Sequence, residues 1–297
     1  MNPELAKKMS STNNASTGKV EVKVDDLLPE EIARKAETFF ARKAGVKTPN
    51  LWVLATLAGA YIGFGSIFSQ VVLAGGADLP FGVRQGLCGM AFSLGLILVV
   101  VGGAELFTGN TMMVIPRAQE RATAVEVLSA WAWAYGGNFV GSVLIVMLFV
   151  LAGGHTAGDG QVGLAALETA QRKAGLTAGS ALASGILANM LVCLAVWLSL
   201  SARATQGKIF AIVWPITAFV ACGFEHSVAN MSLIPMGLMI LAFADQAFWL
   251  AAGVEPTAFT DLTATGFLWN LLWSTTGNII GGGLIGMAYW SVFRRGK

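Results

Sequence analysis

Two short stretches of the sequence place ionisable and polar residues inside otherwise apolar runs. The first reads GAELFTGN from Gly103 to Asn110, and the second reads GFEHSVAN from Gly223 to Asn230. Each has a glutamate two residues after its first glycine, and the second adds His226. Histidine binds and releases protons near neutral pH, and ionisable groups at membrane depth mark ion or proton paths. These stretches therefore predict hydrogen bonding or proton transfer to a small solute.

Two other kinds of chemistry would use the same residues. A membrane-embedded enzyme could employ Glu225 and His226 as an acid-base pair, but it would also need a nucleophile or a cofactor motif. The chain has only two histidines, the other being His155 in a loop, and it has no phosphate-binding glycine loop and no paired metal-ligand spacing. We therefore expect no cofactor and no metal. A cation channel, which two intramembrane glutamates could serve, stays open as an alternative.

The elements that must position these residues are membrane-spanning helices. Hydrophobic residues make up 55% of the chain, charged residues 12%, and the mean hydropathy is +0.66, as in integral membrane proteins. A span needs roughly 20 apolar residues. Six stretches of sufficient length are read at residues 50–75, 84–115, 124–153, 178–202, 208–243 and 265–293.

The distribution of basic residues predicts the orientation of the chain. Nine Lys and Arg residues precede the first span, and with an inner N-terminus sixteen of the nineteen lie inside. Only Arg84, Arg172 and Lys173 fall on the outer connections. The positive-inside rule then places both termini in the cytoplasm.

Three regions are predicted along the chain: a disordered cytoplasmic tail at 1–28, an amphipathic cytoplasmic helix at 29–48 and a six-helix channel domain at 49–297. In the middle region Ile32, Ala36 and Phe40 recur at helical spacing, with basic residues on the other face. Such a helix lies on the inner leaflet or packs on the membrane domain. In both cases it is expected to be peripheral to the pathway.

An internal repeat organises the six spans. The two polar stretches are 120 residues apart, and the string GNFVG at Gly137–Gly141 is echoed by GNIIG at Gly277–Gly281. Because each copy contains three spans, the second copy must be inserted upside down. The predicted fold is all-α, with an inverted 3+3 repeat whose second and fifth helices are broken and whose substrate path lies between the copies.

Each break is predicted to be closed by a proline, Pro116 in the first copy and Pro235 in the second. Half-helices beginning near these prolines would turn their positive N-terminal ends toward a small anion. Glu105, Glu225 and Asn110 are predicted to stabilise the breaks by hydrogen bonding. Direct contact of the glutamates with substrate is the alternative.

These stretches resemble the formate/nitrite transporter family over residues 50–293. The resemblance is carried by AELFTGN at 104–110, GFEHSVANM at 223–231 and GNIIGGG at 277–283. It implies an aquaporin-like six-helix protomer, a homopentamer in the bacterial inner membrane, and one pore per protomer. The pore of such a protein conducts a small monovalent anion such as formate, nitrite or hydrosulfide.

The resemblance also implies roles for individual residues. Thr108 and His226 would face each other in a central chamber, Asn189 and Asn230 would complete its polar lining, and Lys173 would attract anions at the outer vestibule. Six apolar residues match positions at or near the slits, although ordinary helix packing would equally explain them: Phe92, Leu96, Leu106, Phe107, Val192 and Phe219.

The family motifs in this sequence do not all indicate the same substrate. Gly109-Asn110 after Thr108 departs from the formate pattern, which more often has small hydroxyl residues there, and the AGAY string at 58–61 resembles nitrite members. Residues 92–98 and 192–197 resemble formate members. We hypothesise that a proton or a hydrogen bond from His226 lowers the cost of taking a weak-acid anion through an apolar slit. Passive channel and proton-coupled transport both fit.

Overall fold

The computed structural model of the chain describes residues 26–76 and 78–293, and within these ranges every regular element is a helix. Residues 1–25 of the predicted tail lie outside the described residues. The helices are α1 Pro29–Ala44, α2 Thr48–Ala74, α3 Phe81–Gly102, α4 Phe107–Asn110, α5 Val114–Ala118, α6 Ala124–Leu151, α7 Gln161–Ala174, α8 Ala178–Ser201, α9 Thr205–Ala221, α10 Ser227–Phe243, α11 Gln246–Ala252 and α12 Ala264–Phe293. Short 3₁₀ segments cover Thr111–Met113, Gly154–Thr156 and Pro256–Phe259.

The six predicted spans correspond to six regions of this helical structure. Among the described residues, four helices are long and apolar enough to cross a membrane alone: α2, α3, α6 and α8. The fifth region is divided between α9 and α10, and α10 bends by 116° into α11, a pair that counts as one further span when taken together. The sixth is α12, whose 30 residues extend about 45 Å at 1.5 Å per residue.

Both helix breaks begin at a glycine with left-handed backbone, Gly103 at φ +76° and Gly223 at φ +69°. This conformation, which glycine adopts without steric cost, ends α3 and closes the turn that follows α9. After three further residues the chain becomes helical again, at Phe107 and at Ser227. The expected breaks are therefore present in the second and fifth spans.

The prediction that prolines close these breaks is wrong. Pro116 lies within the short helix α5, and Pro235 lies inside α10, well after each helix has resumed. Pro116 falls in the first turn of its helix, where a backbone N–H has no helical partner in any case. Pro235 removes one backbone hydrogen bond from α10, and the helix continues through it. The half-helix N-termini consequently sit directly at the breaks.

Two asparagines secure the breaks in the same way in each half. The Asn138 side chain accepts from the N–H of Phe107 at 2.9 Å and donates to the carbonyl of Glu105 at 2.9 Å. Asn278 accepts from the N–H of Ser227 at 2.8 Å and donates to the carbonyl of Glu225 at 3.0 Å. Each amide thus bonds backbone groups that the missing helical turn leaves free. The GNFVG and GNIIG strings carry these asparagines.

Glycines bring the spans of each half into close contact. A Cβ atom on Gly59 of α2 would clash with the backbone of Asn138 on α6, and one on Gly281 of α12 would clash with the backbone of Ile186 on α8. Small residues allow this approach where apolar driving force between helices is weak. The packing places both asparagines against the breaks.

Helix α1 packs on the membrane domain, which is one of the two placements expected for it. Its apolar face is buried through Ile32, Ala36 and Phe40, and Lys35 Nζ donates to the carbonyl of Leu200 at the end of α8 at 2.6 Å. Helix α7 occupies the corresponding place in the second half. The repeat therefore includes one amphipathic helix in each copy.

Candidate functional site

Thr108 and His226 meet in the interior of the protein. Their Oγ1 and Nε2 atoms are 2.8 Å apart, and both side chains are buried. The backbone N–H of Ala229 donates to His226 Nδ1 at 3.0 Å, so Nδ1 must act as the acceptor. The neutral ring then carries its proton on Nε2 and donates it to the Thr108 hydroxyl oxygen. The Thr108 hydroxyl keeps its own hydrogen for a solute.

Asn189 adjoins this pair and supplies a free acceptor. Its Nδ2 lies 3.2 Å from the carbonyl of Thr108, 3.0 Å from Thr111 Oγ1 and 2.6 Å from the carbonyl of Asn278. Its Oδ1 is buried and has no partner among the described residues. A buried acceptor of this kind is costly unless something donates to it. A water or the hydroxyl of a weak acid would satisfy it.

Asn230, in contrast, points away from the Thr108–His226 pair. Its Nδ2 donates to Glu225 Oε2 at 2.7 Å and to Asn270 Oδ1 at 2.7 Å. Asn270 also donates to Glu225 Oε2, at 2.8 Å. The structure thus places Asn230 in the polar cluster around Glu225. Asn270 belongs to the same cluster, and no sequence pattern singled it out.

Each break glutamate forms an ion pair with a lysine from the amphipathic helix of its own half. Lys43 Nζ lies 2.9 Å from Glu105 Oε2, and Lys173 Nζ lies 2.6 Å from Glu225 Oε1. Asn110 donates to the same Glu105 oxygen at 3.0 Å. Lys43 was not among the predicted site residues. The sequence signal that could have identified Lys43 is its separation of 130 positions from Lys173, which is similar to the offsets of the internal repeat.

Two cavities lie at the helix breaks, one lined by residues 103–106 of the first break and the other by residues 223–226 of the second. We call them the α1 vestibule, of about 730 Å³, and the α7 cavity, of about 80 Å³. Residues that line the α1 vestibule include Lys35, Arg42, Lys43, Leu96, Glu105, Leu106, Val196, Leu200 and Lys208. Residues that line the α7 cavity include Gln70, Phe92, Thr169, Arg172, Lys173, Phe219, Glu225 and His226.

The predicted slit residues divide between these cavities. Phe92 and Phe219 line the α7 cavity with their rings edge to face at 5.5 Å, and the Phe219 ring lies 5.7 Å from that of His226. Leu96 and Leu106 line the α1 vestibule. Phe107 packs its ring against Trp131 and Tyr135.

Phe107 and Val192 are not among the described residues that line either cavity, and both are buried. The apolar walls therefore lie on both sides of the central pair, and they are formed by four of the six predicted residues.

Positive charge is arranged differently at the two cavities. At the α7 cavity the charge of Lys173 is offset by Glu225, while the exposed Arg172 has no carboxylate within salt-bridge distance in the described structure. The α1 vestibule is lined by four basic residues and by one acid, Glu105. Burial lowers the pKa of Lys35, and the nearby charges of Lys208 and Arg203 lower it further. Both mouths favour anions.

The described residues contain no group of three or more His, Cys, Asp or Glu side chains that could hold a metal ion. The groups that line the site are hydrogen-bonding side chains and fixed charges. The polar centre, the apolar walls and the basic mouths together form a route suited to a small anion.

The family model for formate/nitrite transporters matches residues 30–291 of this chain. The chain belongs to the formate/nitrite transporter family. It is similar to the formate channel FocA of Escherichia coli strain K12, with 44% identity over 273 residues that cover 91% of this chain and 96% of the relative. It is also similar to FocA of Haemophilus influenzae, with 40% identity over 87% of this chain and 91% of the relative.

Solved structures of the formate/nitrite transporter family share the fold. A pentameric formate channel with formate bound matches with a TM-score of 0.79 and 39% identity, covering 83% of this chain and 97% of that one. The chain is thus a multi-pass helical membrane protein. Because these relatives are named as channels, the membrane-embedded enzyme is set aside.

Proposed function

We propose that this protein is a channel for formate and related small weak-acid anions. The observation that carries the proposal is the buried Thr108–His226 hydrogen bond, which lies between apolar walls with an open cavity on each side. The likeness to formate channels at 44% identity supports formate as the substrate. Nitrite and hydrosulfide, which are small monovalent anions as well, are the other candidates.

The steps of passage follow from the charges and hydrogen bonds of the site. An anion is drawn to a basic mouth, where Arg172 supplies uncompensated charge on the α7 side. It then crosses the Phe92–Phe219 or the Leu96–Leu106 wall, where loss of hydration is costly. At the centre the Thr108 hydroxyl donates to it, and the ring of His226 strengthens that donor through Nε2–H. Asn189 Oδ1 can accept a hydrogen from the protonated form.

His226 is proposed to act by hydrogen bonding and not by giving up its proton. Donation of the Nε2 proton from a neutral ring would leave an imidazolate, and formation of an imidazolium would require a proton on Nδ1. That atom accepts from the Ala229 N–H at the start of α10, so a proton there would break the cap of the half-helix. Hydrogen bonding avoids both costs.

The remaining predicted site residues are proposed to hold the breaks in shape. Lys173 neutralises Glu225 and Asn230 orients it by donating a hydrogen bond, and Asn110 orients Glu105 in the same way. Lys173 also lines the α7 cavity, so its loss would affect both the break and the entrance. The predicted domain division, with residues 29–48 as a separate cytoplasmic helix before the channel domain, is retained as part of this proposal.

The orientation of the protein in the membrane and its oligomeric state are also part of the proposal. We propose that α1 and both termini lie on the cytoplasmic side of a bacterial inner membrane, and the excess of basic residues on the α1 side supports this orientation. The likeness to a pentameric channel supports a homopentamer in which each protomer has its own pathway.

The test is uptake into liposomes that contain only this protein. We expect formate to enter faster than nitrite or hydrosulfide, and reversal potentials in a salt gradient to show anion selectivity. Formate uptake no faster than in protein-free liposomes would overturn the assignment. A cation-selective reversal potential would favour the cation channel instead.

A further inference from the structure

Gln70 is a buried polar residue that the pathway described above does not use. It lies on α2, is 2% exposed and lines the α7 cavity together with Lys173, Glu225 and His226. Burial of a carboxamide among apolar helices is costly unless its hydrogen bonds are made. The carboxamide of Gln70 therefore needs hydrogen-bond partners inside the protein.

Hydrogen bonds fix the direction in which this amide points. The Ser69 hydroxyl donates to the carbonyl of Ser66 at 2.6 Å, so Ser69 Oγ can only accept from Gln70. Gln70 Nε2 must then face Ser69, at 3.3 Å, and Thr169 Oγ1 donates to Gln70 Oε1 at 3.2 Å. The amide has two N–H groups, and Ser69 receives one. The second has no acceptor among the described residues.

The other half of the molecule has no such donor. Lys43 and Lys173 stand 130 positions apart, and at the same offset Ser69 corresponds to Ser199 and Gln70 to Leu200. Ser69 and Ser199 each donate to the carbonyl three residues earlier, which supports the correspondence. Leu200 lines the α1 vestibule as Gln70 lines the α7 cavity. The amide is therefore a feature of one entrance only.

The α7 cavity has the size for a direct contact. Its volume of about 80 Å³ holds an anion of a few atoms, since a water occupies roughly 30 Å³ of liquid. The 730 Å³ vestibule on the other side holds an anion with much of its hydration shell. An anion in the smaller cavity loses more water and gains more from a fixed donor.

We propose that Gln70 is a specificity-determining residue, which donates its second amide N–H to an oxyanion in the α7 cavity before the anion passes Phe92 and Phe219. Thr169 and Ser69 hold the amide in the donating direction. The inference rests on the proposed anion pathway and assigns to one entrance a preference for anions with oxygen acceptors. Formate and nitrite belong to that class.

The test uses planar bilayers of the full-length protein with formate added to one side at a time. Gln70→Met keeps the length and burial of the side chain but removes both N–H donors. The half-saturation concentration for formate added on the α7 side is expected to rise about tenfold, the usual effect of losing one hydrogen bond to a charged group. Formate added on the α1 side should show less than a twofold change.

Thr169 supplies a second variant that leaves Gln70 in place. Thr169→Val removes the hydroxyl that orients the amide, and it should raise the half-saturation concentration on the α7 side about threefold. Thr169→Ser keeps the hydroxyl and should have the wild-type half-saturation concentration. Leu200→Met, the counterpart of Gln70→Met, should not change half-saturation on the α7 side. A merely structural role would lower the maximal current equally from both sides.

Equal half-saturation in wild-type and Gln70→Met channels would overturn the inference, as would an equal rise from both sides. Formate current through wild-type protein in that case would leave the proposed function intact. Absence of formate current through the wild-type protein would overturn both.

Discussion

Lys43 and Lys173 occupy equivalent places in the two halves, and each forms an ion pair with the glutamate that precedes a helix break. The Nζ–Oε distances are 2.9 Å for Lys43–Glu105 and 2.6 Å for Lys173–Glu225. A carboxylate at membrane depth is costly when unpaired. The two lysines come from α1 and α7, and each lowers the free-energy cost of burying the carboxylate that it pairs with.

Removal of one partner should be more damaging than removal of both. Lys173→Met leaves Glu225 buried and unpaired, and we expect a loss of about 3–5 kcal/mol of stability. The double variant Lys173→Met with Glu225→Gln should recover much of this loss. Thermal unfolding of purified protein would measure it, with the surface variant Lys47→Met as control. A single variant as stable as the wild type would contradict the buried-pair argument.

Substitution of His226 can separate its two hydrogen bonds. His226→Asn keeps an acceptor for the N–H of Ala229 but lacks the Nε2–H donor to Thr108, so α10 should keep its cap while formate flux falls about tenfold. His226→Ala should lose about 1 kcal/mol of stability as well, because the cap is removed. Flux between pH 5 and 8 in proteoliposomes, followed beside thermal unfolding, provides the measurement. Unaltered formate flux in His226→Asn across this pH range would count against a central role for the ring.

The Thr108 hydroxyl is expected to be the group that donates to the anion. Thr108→Val removes it with little change of shape and should reduce formate flux about tenfold, while Thr108→Ser should retain most of the flux. Because His226 acts through this hydroxyl, the double variant Thr108→Val with His226→Asn should lose little more than either single variant. Stopped-flow measurement of formate uptake into liposomes would compare the single and double variants with the wild type. Additive losses would mean that the two residues act separately.

The apolar walls should control the size of the solute. Phe92→Ala is expected to open the wall at the α7 cavity and to raise the uptake of the larger anions acetate and lactate relative to that of formate. Phe107→Ala is the matched control, because its ring packs against Trp131 and Tyr135 and lines neither cavity among the described residues. It should cost about 3–5 kcal/mol of stability and leave selectivity unchanged. Uptake of labelled acetate in both variants distinguishes the two positions.

Lys35 should make the α1 vestibule sensitive to alkaline pH. Burial and the charges of Lys208 and Arg203 lower the pKa of Lys35 below its ordinary value of 10.5. Its charge is therefore lost earlier than that of a free lysine as the pH rises. The folded state binds fewer protons than the unfolded state in this range, so stability rises with pH while attraction for anions falls.

Formate current from the α1 side should decline over this alkaline range in the wild type, and Lys35→Arg, which keeps its charge, should reduce the decline. Identical profiles in the two proteins would exclude Lys35 as the titrating group.

The sequence was sufficient to predict the spans, the breaks and the inverted repeat. Apolar length reveals the spans, and the glycine–glutamate–asparagine spacing recurs at 120 residues because both breaks need the same backbone conformation and the same partners. Pro116 and Pro235 misled the prediction of where the half-helices begin. A proline is tolerated within a helix when neighbouring contacts compensate, and the sequence alone does not show those contacts.

The pairings across long stretches of chain could not be predicted. Lys43 reaches Glu105 over 62 positions, and Thr169 reaches Gln70 over 99. Periodicity reports which face of a helix is apolar, and it says nothing about which distant helix supplies a partner. The family resemblance implies a chamber role for Asn230, whereas its side chain donates to Asn270 and Glu225 in the structure.

The contacts that satisfy each break come from its own half of the molecule. Lys43, Asn110 and Asn138 serve the first, and Lys173, Asn230, Asn270 and Asn278 serve the second. During synthesis on the ribosome, the first three spans can therefore settle in lipid before the later ones emerge, since Glu105 needs nothing from them. Biogenesis of the leading half does not have to wait for the trailing half, whereas the contacts between the halves, such as Thr108–His226 and Thr108–Asn189, await the finished polypeptide.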